Sequence, residues 1–230
     1  MIRRRSLPIA LGTTFVLAVA GIAGAAVVTP PAGTPNLAAM VIQPGDLAPG
    51  AVLGAQGYVT PPSGLTAEYD SSFTSAATSD GVSYLLLSDN IALAPTPTTA
   101  SAFYVGEREA FDSSKGRKLV VREIIKQAGK KSTLKAKDIK FSDAGSAGIG
   151  SSSFIETLTI TVKHAKAREV IVLFEDGTVD AILVLTGKAN ESVPHSDAIA
   201  LAGDIDTHIA AVLSGSTGAS GASGSTGASG

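Results

Sequence analysis

The stretch FIETLTITVKHAKAREVIVLFEDGTVDAILVL, residues 154–185, decides the fold of this chain. Within it, 154–162 alternates apolar residues with threonines, which is the period of a strand with one face in water. Residues 168–174 are rich in β-branched side chains and predict a second strand. The Asp-Gly pair at 176–177 tolerates the positive φ angles of a type I′ turn, and the apolar run 179–185 follows it. The stretch therefore predicts a three-stranded antiparallel meander whose last strand is covered on both faces.

The sequence on either side extends this sheet and adds helices. Residues 66–76 and 82–87, with turn residues between them, predict a further hairpin. Periodic apolar residues indicate helices over 100–111, 117–128 and 194–213. We therefore predict the α+β class, with an antiparallel sheet of about five strands packed against helices.

The first 28 residues have the pattern of an export segment. Three arginines at 3–5 precede an apolar run over 7–28, and the Ala-Gly-Ala at 23–25 suits a signal peptidase. Cleavage would remove the segment, whereas an uncleaved segment is long enough to anchor the protein in a membrane. Both alternatives predict an extracytoplasmic protein that is either secreted or associated with the cell envelope.

The remaining sequence divides into a linker, one domain and a tail. Residues 29–37 contain three prolines and predict a linker. Residues 38–213 have the length of a single domain, which we expect to be the α+β unit. Over 214–230 a glycine recurs at every third position without any proline. Because a collagen-like stalk needs proline, this low-complexity tail is predicted to be disordered, and a short stalk is the alternative.

Composition excludes several chemistries. The 230-residue chain has no cysteine and no tryptophan, and 5% of its residues are aromatic. A sequence without cysteine cannot use thiol catalysis, thiolate metal sites or disulfides. So few aromatic side chains argue against stacking on bases, and with the export segment they argue against a nucleic-acid partner. His164, His195 and His208 lack the spacing of a zinc site, so we predict no metal and no cofactor.

One segment carries most of the positive charge. Of the 18 lysines and arginines, ten lie within 115–140, where only Glu123 and Asp138 oppose them. They are Lys115, Arg117, Lys118, Arg122, Lys126, Lys130, Lys131, Lys135, Lys137 and Lys140. Three of them recur every four residues within the predicted helix 117–128, so they share one face. Two interpretations stay open: an inert face that balances acidic neighbours, or a surface that contacts an anionic partner.

No catalytic motif lies in the context that its chemistry needs. Residues 204–207 match the DxDxT motif of aspartate-nucleophile phosphatases, but they fall inside the predicted last helix instead of ending a parallel strand. The glycine-rich loop 145–150 precedes a strand, whereas a phosphate-binding loop precedes a helix. We therefore predict that the protein is not an enzyme. An exported hydrolase is the least favoured hypothesis, because a serine–histidine–aspartate arrangement can form from distant residues.

The order of the predicted elements resembles that of a known family. The hairpin 67–87, the helix 100–111, the hairpin 168–185 and the helix 197–213 are similar to those of exported actinobacterial proteins of the PsbP/Mog1-like class. The resemblance implies one α+β domain over about 40–213, without the tail. It also implies a non-enzymatic role in binding or assembly, and it supplies no catalytic residues.

The sequence thus predicts a non-catalytic extracytoplasmic binding protein that contacts an anionic partner through the basic segment 115–140. The contact residues are expected to be Lys118, Arg122, Lys126, Lys130 and Lys131. Suitable partners are an anionic lipid headgroup, a phosphate-bearing wall polymer or an acidic protein, and an uncleaved N-terminal segment would add a membrane contact. The alternative is a carrier that holds a small apolar or lipid ligand between the sheet and the helices.

Overall fold

The computed structural model describes residues 28–78, 81–129 and 132–215. This part of the chain forms a seven-stranded sheet, three α-helices and short 3₁₀ turns at 37–39, 44–46 and 136–138. The strands are β1 Val52–Val59, β2 Ala67–Thr74, β3 Tyr84–Leu93, β4 Ile139–Gly145, β5 Ser152–Val162, β6 Ala165–Asp176 and β7 Val179–Gly187. The helices are α1 Pro97–Asp112, α2 Ser114–Gln127 and α3 His195–Leu213.

The sheet has the strand order β1-β2-β3-β7-β6-β5-β4, and every neighbouring pair is antiparallel. The predicted α+β class is confirmed, but the predicted number of about five strands is wrong. The two additional strands are β1 and β4, which form the two edges of the sheet. Most of their residues are exposed, and β1 contains Gly54 and Gly57. Because an edge strand buries few side chains, its sequence shows little of the two-residue period.

Helices cover both faces of the sheet. Along β6, Val170, Val172 and Phe174 belong to the core under α3, whereas Ile171 and Leu173 belong to a second core under α1 and α2. Successive side chains of a strand point to opposite faces. Residues 170–174 of β6 and 181–185 of β7 are therefore apolar at every position, as strand segments covered on both sides must be.

Strand β5 corrects the prediction of a face in water. Ile155 and Thr157 lie on the face that was expected to be wet, yet they are 3% and 8% exposed. The start of α3 covers them, and the Nε2 atom of His195 lies 2.8 Å from the hydroxyl oxygen of Thr157. This face of β5 is therefore buried at Ile155 and Thr157, and only half-buried at Thr159 and Thr161 further along the strand.

The hairpin between β6 and β7 differs from the predicted type I′ turn. Asp176 is the last residue of β6, so the two-residue loop consists of Gly177 and Thr178. Gly177 has a φ of +57°, whereas Thr178 has no positive φ. A positive φ at the first central position alone is the signature of a type II′ turn, for which glycine at that position is typical.

The export segment and most of the glycine-repeat tail fall on 1–27 and 216–230, which lie outside the described residues. The amide of Val28 donates to the carbonyl of Tyr58 at 2.9 Å, so the predicted linker starts beside β1. Within the described residues, no helix combines the length and the apolar character that a membrane crossing requires.

Candidate anion-binding groove

Helix α2 is held close against the end of α1. Ser113 joins the two helices: its hydroxyl accepts the Gly116 amide at 2.9 Å and donates to the Glu109 carbonyl at 2.7 Å. A Cβ added at Gly116 would lie 2.5 Å from the Cα of Ala110, so any side chain there would force α1 and α2 apart. The serine cap and this glycine thus place α2 beside the sheet at a short distance from α1.

Two adjoining rows of apolar side chains follow α2. Val120 and Ile124 are buried in the core that also contains Ile139 of β4. Val121 and Ile125 form the next row and are only half-buried. The second row extends past the core toward the edge strand, so it forms one wall of a surface groove.

The groove has a volume of about 480 Å³ and separates α2 from the segment 136–141. Its lining comprises Arg117, Lys118, Val121, Arg122, Ile125, Ala136, Ile139 and Phe141. The apolar side chains of Val121, Ile125 and Ile139 are buried or half-buried, whereas Lys118 and Arg122 are exposed. The groove therefore has an apolar floor and a positively charged rim.

The structure brings two of the five predicted contact residues to this rim. Lys118 and Arg122 line the groove, and within the described residues neither forms an ion pair with a carboxylate. Lys126 lies one turn further along the same row, outside the groove lining, and its ammonium is 2.9 Å from Glu123. Lys130 and Lys131 lie outside the described residues.

Arg117 differs from Lys118 and Arg122 because its charge is paired within the fold. It pairs with the fully buried carboxylate of Glu156 in β5, with 2.5 Å between Nη2 and Oε1, and its Nε donates to the carbonyl of Phe111. Its guanidinium also lies over the ring of Phe141, 5.2 Å from the centroid. Burial raises the pKa of Glu156 to about 7, and the neighbouring guanidinium opposes the rise. Arg117 therefore neutralises a buried acid at the inner side of the groove.

Acidic side chains lie beneath α1 on the same face of the sheet. Asn90 donates to Glu68 at 2.7 Å and to Asp70 at 2.6 Å. Glu107 of α1 and Asp180 of β7 share a hydrogen bond, and burial raises the pKa of both carboxyls. Negative groups thus concentrate under α1, whereas the exposed cations of the rim project from α2.

Two of the histidines, which a hydrolytic or metal site would require, contact other groups of the fold. His195 is hydrogen-bonded to Thr157, and the Nδ1 atom of His208 lies 3.1 Å from the carbonyl oxygen of Val41. The Nε2 atom of His208 is 3.7 Å from Asp46. Among the described residues there is no group of three or more histidine, cysteine, aspartate or glutamate side chains that could hold a metal ion.

Sequence reasoning missed one wall of the groove. Ile139 and Phe141 belong to the edge strand that was not predicted, and Ala136 belongs to a three-residue 3₁₀ turn. The alternation of Ile139 and Phe141 with polar neighbours is the local signal of this strand, and two apolar residues are too few to predict it. Glu156 could also have been found, because it occupies an apolar phase of β5 and therefore had to face inward.

The extracellular domain of PknH from Mycobacterium tuberculosis is a solved structure that is similar to this chain. The two chains are 13% identical, and the match has a TM-score of 0.42 and covers 81% of this chain and 100% of that chain. No protein-family model and no curated protein matches this chain. The resemblance to PsbP/Mog1-like proteins therefore stays a prediction.

Proposed function

We propose that this chain is a non-catalytic extracytoplasmic binding domain that contacts an anionic partner through α2. The observation that carries the proposal is the pair of exposed cations, Lys118 and Arg122, on the rim of a groove and without a carboxylate partner among the described residues. A positive patch that the protein itself does not neutralise attracts anions from solution. The export pattern of residues 1–28 supports an extracytoplasmic site of action.

The row of cations has the geometry of a docking surface. Lys118, Arg122 and Lys126 are separated by four residues each, so they follow one another along a single face of α2. Near an anionic membrane each such cation contributes about 1 kcal/mol, and the attraction is screened beyond roughly 8 Å at physiological salt. Lys126 contributes less, because Glu123 is already beside it.

Retention on vesicles tests the proposal. Lys118, Arg122 and Lys126 are replaced together by glutamine, and binding to vesicles with and without anionic phospholipid is measured by co-sedimentation. The variant is expected to bind anionic vesicles on the order of 50-fold more weakly than the wild type, because about 2–3 kcal/mol of attraction is lost. High salt is expected to release the wild type from anionic vesicles, and the wild type is not expected to bind zwitterionic vesicles.

A matched variant controls for the change in net charge. Lys163, Lys166 and Lys188 lie outside α2 and outside the groove, and replacing all three by glutamine removes the same amount of charge. This control is expected to bind nearly as well as the wild type. Equal binding by the two triple variants would refute a specific role for α2.

A further inference from the structure

We infer that the groove beside α2 binds the alkyl chain of an anionic amphiphile, whose headgroup is held by Lys118 and Arg122. The inference rests on the proposed function, because the same two cations carry both. It narrows the partner from any anion to a molecule with one anionic end and one apolar end, and a single anionic lipid is the occupant that we expect.

The floor of the groove provides the first reason. Five of its eight lining residues are apolar, and they come from both walls: Val121 and Ile125 from α2, and Ala136, Ile139 and Phe141 from the facing segment. A soluble wall polymer or an acidic loop would contact the cations and leave this apolar surface in water. An alkyl chain would cover it, with a gain in free energy for each methylene removed from water.

The placement of charge provides the second reason. Arg117 is the innermost cation, and Glu156 neutralises it while its guanidinium lies over Phe141. The cations that keep an exposed charge, Lys118 and Arg122, stand at the rim. Positive charge at the mouth and apolar side chains below it are complementary to an anionic headgroup followed by a chain.

The size of the groove agrees with this ligand. Its volume of about 480 Å³ falls in the range of roughly 300–1,000 Å³ that is typical of small-molecule sites. The groove is open along the surface and lies beside an edge strand, so a chain can enter from the side. This mode of binding uses the surface beside α2 and needs no cavity within the two cores of the sheet.

A series of alkyl phosphates tests the inference. Butyl, hexyl, octyl and decyl phosphate are titrated into the purified protein below their critical micelle concentrations, and binding is measured by calorimetry. If the chain enters the groove, affinity is expected to rise about fourfold for each added methylene. Glycerol phosphate and decyl maltoside supply the headgroup charge and the chain separately, and each is expected to bind at least tenfold more weakly than decyl phosphate.

Two variants of α2 locate the chain. Ile125→Asn places an amide on the floor of the groove, whereas Leu119→Asn makes the same kind of change at a residue that is 40% exposed and outside the lining. Ile125→Asn is expected to abolish the dependence on chain length, and Leu119→Asn is expected to leave it intact. In the wild type, decyl phosphate should shift the methyl NMR signals of Val121, Ile125 and Ile139, which provides a measurement that needs no variant.

The results separate this inference from the proposed function. If vesicle binding depends on the α2 cations but alkyl phosphates bind equally at every chain length, the inference is wrong and the proposed function stands. If the methyl signals do not move, the groove is not the site of the chain. If the triple glutamine variant at Lys118, Arg122 and Lys126 binds vesicles as well as its control does, both fail.

Discussion

Replacing Glu169 by glutamine is expected to stabilise the folded protein at pH 8 and to change its stability little near pH 5. Glu169 lies in β6 opposite Thr186 of β7 and is 2% exposed. Burial raises the pKa of its carboxyl to about 7, and the hydroxyl of Thr186 opposes the rise. A buried carboxylate that must ionise at neutral pH opposes folding, and glutamine fills nearly the same space without ionising.

The size of the effect follows from the two pKa values of Glu169. The folded protein holds this proton up to about pH 7, whereas the unfolded chain releases it near the ordinary value of 4.5. Between these values the folded state binds more protons than the unfolded chain. The contribution of the protonated Glu169 to stability is therefore fully present below pH 4.5 and is lost as the pH rises through 7. At about 1.4 kcal/mol per pH unit, ionisation of Glu169 destabilises the fold by about 3 kcal/mol at pH 8.

Urea unfolding followed by circular dichroism measures this difference. The wild type and Glu169→Gln are compared at pH 5 and pH 8, with the exposed Glu109→Gln as the control for the loss of one carboxylate. The free energy of unfolding of Glu169→Gln should exceed that of the wild type by about 3 kcal/mol at pH 8 and by much less at pH 5. An equal difference at the two pH values, or a less stable variant at pH 8, would refute the reasoning.

Three further substitutions test single contacts by urea unfolding. Gly116→Ala forces a methyl group against the backbone of α1 and should cost about 1–3 kcal/mol. Tyr84→Phe removes a hydroxyl that donates to Asp197 at 2.5 Å and should cost about 1.5–3 kcal/mol. Arg117→Met leaves the buried Glu156 without its partner and should cost about 3–5 kcal/mol, which an added Glu156→Gln should partly restore. A variant as stable as the wild type would contradict the contact that the substitution tests.

The central strands could be predicted because burial leaves a strong mark on their sequences. In β6 and β7 both faces are covered, so apolar residues occupy consecutive positions and the glycine of the hairpin separates the two runs. In α2 the apolar rows at Val120 and Val121 repeat every four residues, and Gly129, with a φ of +78°, follows its end. These signals are local, because the spacing of apolar residues within each element is enough to identify it.

The edges and the buried charges could not be predicted in the same way. Strand β4 forms by hydrogen bonding to the backbone of β5. Only Ile139 of β4 is buried, so the sequence of β4 itself contains little evidence of a strand. The period of β5 shows that Glu156 faces inward, but it cannot show that Arg117 lies opposite, since 39 residues separate them. The partner of a buried charge depends on tertiary packing, and the sequence of a single strand does not show that packing.

The groove illustrates how two hypotheses that looked exclusive can describe one surface. A basic docking face and a site for an apolar ligand were separate alternatives in the sequence. Successive residues of a helix turn by about 100°, so the row that contains Lys118 and Arg122 adjoins the row that contains Val121 and Ile125. Once Val120 and Ile124 are buried in the core, the neighbouring apolar row must lie at the margin of α2, directly beside the cations. When an edge strand then closes the opposite side, an amphipathic helix of this pattern produces an apolar groove with a positive rim.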